Sequence, residues 1–346
     1  MATPEALFRA LLRIPSRLSR RESWRNAWLK LRIGCVDAER PRRYPLRVQI
    51  EATSQCNLRC PTCPHARTAT ESRHLDEASL RTLLDRLPRL PDRVILSGVG
   101  EPLINPRFFS LVDLLAGRGI LCEFYTNGTL LRKDVRHGIL QRPNIDRIGI
   151  SCDGATKATF EALRVGADFD RWKLCVGKFL AEARQAGGLT VGVNVVVSKG
   201  NLGELGNIFE LALGLGFDHI VLLDTIPSDD STASLGLSED QLSAIRRADY
   251  ARAAAVRGVP VQFCFRMAGA PPQSLPRCLQ PWQSLFVRAD GGVEPCAGLF
   301  GPDKMPVMGN LLEQDFAAIW HGEPYRAFRR QSARGINPLC RICPYY

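Results

Sequence analysis

The chain has 346 residues, 45% of them hydrophobic, enough for one large core or for a core with a smaller domain beside it. No apolar run approaches the roughly 20 residues needed to cross a bilayer, and Arg9 and Arg13 interrupt the apolar start, so a secretory segment is not expected and a cytoplasmic location is. The formal net charge is +11, but residues 1–48 hold 12 Lys or Arg against 4 Asp or Glu; this uneven placement, without interleaved stacking aromatics, speaks against a nucleic-acid partner.

Residues 1–44 read as a basic amphipathic arm. Leu7, Leu11, Ile14 and Leu18 recur at helical spacing, Pro15 breaks the pattern, and Trp24, Trp28 and Leu31 resume it with arginines on the other faces. Such an arm can dock on its own domain, lie on an anionic membrane surface as a peripheral contact, or hold an acidic protein partner. Its Arg-rich start also resembles a mitochondrial transit peptide, against which Glu5 and Glu22 count.

From residue 45 to residue 265, strand-like apolar runs alternate with helix-period segments. The strands read as 46–52, 93–97, 121–126, 145–151, 190–197 and 219–224, and the helices between them include 76–87, 106–116, 172–186 and 202–215. That alternation gives an α/β architecture, a parallel sheet with right-handed crossovers, whose ligands sit at the C-terminal ends of the strands. Beyond the sixth strand, 239–257 reads as one helix and 259–265 as a short strand carrying Cys264, before Pro271, Pro272 and Pro276 mark a linker.

Twelve cysteines without an export signal point to metal ligation or redox chemistry in a reducing compartment rather than to disulfides. Cys35, Cys122, Cys152, Cys175 and Cys264 read as small core residues. The other seven form two groups. The first strand runs straight into Cys56-Asn57-Leu58-Arg59-Cys60-Pro61-Thr62-Cys63. Thiolates are soft donors that select iron-sulfur clusters or zinc, and a four-iron cluster held by three of them leaves one iron open. A zinc knuckle or a buried thiol cluster is the alternative. Further segments follow at the strand ends: Ser97-Gly98-Val99-Gly100-Glu101-Pro102, Tyr125-Thr126-Asn127-Gly128, Ile150-Ser151-Cys152-Asp153-Gly154 with Arg164 and Gly166 downstream, and Asn194 among valines.

This cysteine spacing, with these segments in this order, resembles the radical S-adenosylmethionine (SAM) superfamily. The resemblance implies a partial (β/α)6 TIM-like barrel over 45–265, in which Cys56, Cys60 and Cys63 hold the SAM-binding 4Fe-4S cluster. It further implies that Gly98, Gly100, Glu101, Asn127, Ser151, Arg164 and Asn194 contact SAM, Glu101 meeting the ammonium, Ser151 the ribose or carboxylate, and Arg164 the carboxylate through paired donors. Enzymes of this kind cleave SAM reductively to a 5′-deoxyadenosyl radical, with electrons from an external reductant such as flavodoxin or ferredoxin.

Residues 266–346 form a second cysteine module. Cys278 precedes a hairpin around Asp290-Gly291-Gly292 that returns the chain to Cys296, and Cys340-Arg-Ile-Cys343 closes the set. With Gly309-Asn310-Leu311, Ile319-Trp320 and Tyr325 to Arg329, the module resembles the SPASM extension of radical SAM enzymes, which implies a second, auxiliary 4Fe-4S cluster held by all four cysteines. Structural zinc is the alternative.

The functional expectation is hydrogen-atom abstraction from a substrate carbon. The arm is shorter than the leader-recognition domain that many peptide-modifying members carry, so a small polar molecule of sugar or aminocyclitol type is expected over a peptide, either oxidised or, with Cys264 as hydrogen donor, epimerised. Two readings stand beside it: a maturase acting on a ribosomally made peptide, and a non-catalytic iron-sulfur or zinc protein that transfers electrons or scaffolds a partner.

Overall fold

A computed structural model describes residues 44–66, 72–226, 230–265, 278–297 and 305–343, so the amphipathic arm, Cys35 and the linker prolines lie outside the described residues. Six parallel strands build the first part of the sheet: β1 (Arg47–Ile50), β2 (Arg93–Leu96), β3 (Leu121–Thr126), β4 (Ile145–Ser151), β5 (Thr190–Val197) and β6 (His219–Asp224). A seventh, β7 (Val261–Cys264), joins β6 in parallel. Helices α1 (Glu77–Arg86), α2 (Phe108–Gly117), α3 (Lys133–Leu140), α4 (Lys157–Leu163), α5 (Phe169–Ala186) and α6 (Leu205–Leu215) connect them, followed by α7 (Asp230–Leu235), α8 (Glu239–Arg247) and α9 (Asp249–Val256). The result is the partial (β/α)6 barrel: β1 pairs with β2 but not with β6, so the barrel stays open.

Period-two burial separates its faces. On β5, Val191, Val193, Val195 and Val197 are buried beneath the helices, while Asn194 and Val196 are only partly covered on the inner face. The helices bury matching stripes, such as Leu80, Leu83 and Leu84 of α1, whose first turn is capped by Asp76 accepting from the Ser79 N–H at 2.7 Å. In α5, Asp168 plays the same part for Arg171, and so the helix starts three residues before the hydrophobic pattern alone suggests.

Three features depart from the sequence reading. Helices α3 and α4, eight and seven residues long, stand outside the helices named from sequence. The single helix expected over 239–257 divides at Ala248, whose backbone is extended (ψ 148°). The turn lets Tyr250 of α9 meet Phe209 of α6 with ring centroids 4.8 Å apart, a tertiary contact that no local signal carries.

The C-terminal module continues the same sheet. After α10 (Gln280–Gln283), strand β8 (Ser284–Val287) lies parallel to β1, turns through Asp290 and Gly291 (φ +86°), and returns antiparallel as β9 (Gly292–Glu294). The expected hairpin is therefore present, annealed to the open edge of the barrel. Strand β10 (Gly309–Asn310) and helices α11 (Phe316–Trp320), α12 (Glu323–Ala333) and α13 (Pro338–Ile342) complete it. Arg329 of α12 joins α10 to α11: its Nε donates to Pro281 O at 2.9 Å, and its guanidinium lies 4.1 Å from the Trp320 ring and 4.0 Å from the Tyr325 ring.

Glu51, one residue past β1, ties the two parts together. Its carboxylate accepts from the Val99 N–H (3.0 Å) in the loop after β2 and from the Ala289 N–H (3.2 Å) in the turn after β8. Replacing Glu51 with Ala strips both amides of their acceptor and is expected to lower the unfolding free energy by about 2 kcal/mol. Urea unfolding checks this, and an unchanged midpoint would show that neither bond supports the join.

Candidate active site

The cysteine loop has almost no regular structure of its own, so its position is borrowed from the strand ends around it. The first support is the loop after β2. Gly100 packs so closely that a Cβ there would collide with the backbone carbonyls of Thr53 and Gln55, and the Glu101 N–H donates to Gln55 O at 2.7 Å. Gly98 similarly leaves room for the Glu51 side chain. Both glycines of Ser97-Gly98-Val99-Gly100 are thus demanded by close approach, with Val99 between them delivering its N–H to Glu51.

The second support is the end of β3. Asn127 donates through Nδ2 to Asn57 Oδ1 at 2.9 Å and accepts from the Thr129 N–H and hydroxyl, while Asn57 donates to the Thr129 hydroxyl at 2.9 Å. The sequence reading places Asn127 as a ligand contact; in the structure one N–H of its amide and its Oδ1 brace the residue beside Cys56. Trp172 of α5 donates to Asn127 O at 3.0 Å and fills the space that Gly128 (φ +78°) leaves open.

The third support comes from the segment after α4. Arg59 N donates to Val165 O at 2.9 Å, and Gly166 (φ +100°) faces the Asn57 carbonyl. Arg164 is largely covered, its side chain 11% exposed, with Nη2 2.7 Å from Asp153 Oδ2 and the guanidinium beside the Cys60 thiol. Burial works to lower its pKa, and Asp153 with the neighbouring thiols more than reverses that, so it stays charged. Its Nε finds no hydrogen-bond partner among the described residues.

Glu101 is buried at the centre of these supports. Oε1 accepts from the Thr126 hydroxyl (2.7 Å) and the Leu103 N–H (3.3 Å), and Oε2 from the Asn127 N–H (2.7 Å). Burial pushes its carboxyl up to about 7 against the pull of these bonds and of Arg164. One acceptor direction remains on Oε2. Ser151 and Asn194 stand side by side across β4 and β5, partly exposed on the inner face. Between Asn194 and Tyr125 lies Gly149, where a Cβ would come within 2.6 Å of Asn194 Nδ2 and 2.7 Å of the Tyr125 ring. The Tyr125 hydroxyl donates to Glu123 at 2.7 Å. Cys264 sits on β7, its sulfur accepting from Gln262 Nε2 at 3.3 Å.

Among the described residues no group of three or more His, Cys, Asp or Glu side chains converges as a ready metal site. The cysteine triplet is nevertheless coupled: burial first, then Cys60 and Cys56, push the Cys63 thiol up to about 11. Three thiols whose thiolate forms disfavour one another, beside the Arg164 guanidinium, fit a group that supplies positive metal to the sulfurs and overall negative charge to the arginine, as an iron-sulfur cluster does. In the C-terminal module, burial pushes the Cys278 thiol up to about 12, with Cys343 and Cys340 adding to it, while Cys340 Sγ lies 3.5 Å from the Ser332 hydroxyl. Cys296 lies near Tyr325, whose phenol it helps to hold above its usual range after burial.

Comparison with known families agrees with this donor set. The radical SAM superfamily profile matches residues 50–212, and an iron-sulfur cluster-binding SPASM domain matches residues 278–344. The chain belongs to the radical SAM superfamily and carries a SPASM domain, which removes the non-catalytic reading: it is a radical SAM enzyme that takes a SAM-binding 4Fe-4S cluster, auxiliary cluster iron and SAM. It is 24% identical over 320 residues to a tungsten-containing aldehyde ferredoxin oxidoreductase cofactor-modifying protein of Pyrococcus furiosus, covering 85% of this chain and 86% of that one. It is 28% identical over 310 residues to the PqqA peptide cyclase of Streptomyces rochei, covering 87% and 82%. In fold it is similar to Streptococcus suis SuiB solved with the precursor peptide SuiA, with a TM-score of 0.65 and 18% identity over 93% of this chain and 76% of that one.

The peptide cyclase match overturns the expected preference for a small polar substrate over a peptide. That preference rested on the length of the arm, whereas the correspondence with a peptide-acting relative runs through the barrel and the cysteine module.

Sequence reading missed Glu51, Gln55, Asn57 and Thr129. Only Asn57 carried a signal, a polar side chain inside the cysteine motif; the others act through contacts made across the fold. Gly100→Ala is expected to displace the backbone at Thr53 and Gln55 and to abolish iron loading at the triplet, leaving about four irons in the module. Iron and sulfide analysis after anaerobic reconstitution checks this, and a count equal to wild type would show that the loop tolerates the shift.

Proposed function

We propose that this enzyme modifies a peptide substrate by hydrogen-atom abstraction. The observation that carries the reading is its correspondence, over 87% of its length, with a peptide cyclase. Cys56, Cys60 and Cys63 would hold the SAM-binding cluster, and Cys278, Cys296, Cys340 and Cys343 an auxiliary one. When bound, the first supplies the electron that cleaves SAM and the second an acceptor for a further electron, which favours a net oxidation of the peptide.

The chain's own residues bind and orient. Glu101 offers its remaining acceptor direction to the SAM ammonium, Ser151 and Asn194 offer a hydroxyl and an amide on the inner face, and Arg164 offers Nε to an anion. Gly98, Gly100 and Asn127 act by fixing the loops from which those groups project. Cys264, on the edge strand, has its thiol pushed up by burial and so remains an S–H able to give a hydrogen atom. The reading divides the chain into a 1–44 arm, a 45–265 core and a 266–346 auxiliary module, working in a reducing cytoplasm. Among the described residues no helix is long and apolar enough to cross a membrane.

Reconstituted enzyme with SAM and dithionite is expected to form 5′-deoxyadenosine, to bind about eight irons, and to lose SAM cleavage in Cys60→Ala. Incubated with a synthetic peptide pool, it should yield peptides two mass units lighter by mass spectrometry; SAM cleavage that never alters any peptide would sink the peptide reading. Epimerisation with Cys264 as hydrogen donor is the competing outcome: its product keeps the mass of the peptide and carries solvent-derived deuterium that Cys264→Ala loses, so a loss of two mass units without deuterium excludes Cys264 as donor.

A further inference from the structure

On β1, β2, β3 and β6 the accessible residues are the alternate ones. On β6, for example, His219, Val221 and Leu223 are partly accessible, while Ile220 and Leu222 are buried beneath the helices. The inner face of the open barrel is thus lined by side chains that solvent reaches, Ser151 and Asn194 among them. Two residues farther from the strands' C-terminal ends, register sets one row across four strands. Tyr125 pairs with Gly149, Gly149 with Gly192, and Gly192 with His219.

Rings stand at the two ends of this row and glycines in its middle. A Cβ on Gly149 would come within 2.7 Å of the Tyr125 ring, and one on Gly192 would collide with the His219 imidazole. The two rings therefore lean toward each other over the backbones of β4 and β5, a close approach that glycine permits.

Tyr125 is held in that pose from three strands. Its hydroxyl donates to Glu123 Oε1 at 2.7 Å, Glu123 Oε2 lies 3.9 Å from Arg93 Nε of β2, and that Nε donates to Asp146 Oδ1 of β4 at 3.1 Å. Burial, then Glu123, holds the phenol well above its usual range, yet solvent reaches 38% of the residue. A side chain in both conditions lines an enclosed recess rather than an outer surface. Glu123, Arg93 and Asp146 are tied to one another on the far side of the ring, and the row between it and the strands' C-terminal ends presents Ser151, Asn194 and Val221. Such walls suit an uncharged, largely apolar group.

We propose that Tyr125 is the floor of the recess in which a substrate side chain lies, and that it limits the length of the chain that enters. This rests on the peptide reading and deepens it by naming the class of side chain, uncharged and apolar. The role is one of specificity.

The test uses reconstituted full-length enzyme with SAM and fluorescent heptapeptides whose central residue is norvaline, norleucine, 2-aminooctanoate or 2-aminodecanoate, with binding read by anisotropy. In the wild type, affinity is expected to rise about fourfold per methylene up to a break, beyond which longer chains bind no better. A central glutamate, similar in length to norleucine, should bind at least about tenfold more weakly. Compared at equal iron content, Tyr125→Ala should move the break to a longer chain and Tyr125→Trp to a shorter one, while Tyr125→Phe, which keeps the ring, leaves it in place. Phenol, the fragment that Tyr125→Ala removes, should bind that variant but not the wild type by calorimetry, and should return the break to its wild-type length. A break that is absent in the wild type or unmoved in Tyr125→Ala and Tyr125→Trp, or equal binding of the glutamate and norleucine peptides, overturns the floor and leaves the peptide reading intact. Phenol binding confined to Tyr125→Ala, with no peptide bound by any form, supports the floor and removes the peptide. Binding of neither phenol nor peptide overturns the floor.

Discussion

The structure depends on how an irregular eight-residue loop carrying three thiols is held still. The segment from Cys56 to Cys63 makes few internal hydrogen bonds, the Cys63 N–H to Cys60 O contact at 3.0 Å among them. Its geometry is imposed by three strand ends: Gly100 and Glu101 press on Thr53 and Gln55, Asn127 and Thr129 hold Asn57, and Val165 with Gly166 lies along Asn57 and Arg59. Preorganisation of this sort places rigid parallel strands behind a flexible motif, so the entropy of ordering the loop is met by the fold.

The same contacts explain why Glu101 and Arg164 are buried charges. Each would be costly alone, but Glu101 collects three donors and Arg164 has Asp153. They turn the loop's supports into an electrostatic frame around the thiols. The C-terminal hairpin extends that frame, because β8 pairs with β1, the strand that leads into the cysteine loop, and Glu51 binds the loops of both parts. The barrel and the cysteine module therefore form one continuous sheet.

Much of this was legible in the sequence. Strands β3 to β6 match their apolar runs, since a parallel strand packed beneath helices keeps its alternate residues apolar and is bounded by turn residues. The cysteine triplet and the segments at the strand ends were legible because their chemistry demands particular residue types. The break at Ala248 was not, because it serves the packing of Tyr250 on Phe209 and involves neither proline nor glycine. The bracing part of Asn127 was not legible for a related reason: a polar residue at a strand end looks the same whether it meets a ligand or holds a neighbouring loop.

By itself the sequence determined the fold class, the donor chemistry and the order of the site segments, because periodicity, thiol spacing and glycine punctuation are local properties of the chain. Only the tertiary structure decided which polar groups are already satisfied. The assignments of Glu51 and Asn127 to the joins between loops and of Glu101 to three donors depend on residues up to hundreds of positions apart, and hydrogen-bond saturation is a property of the folded neighbourhood that no sequence window contains.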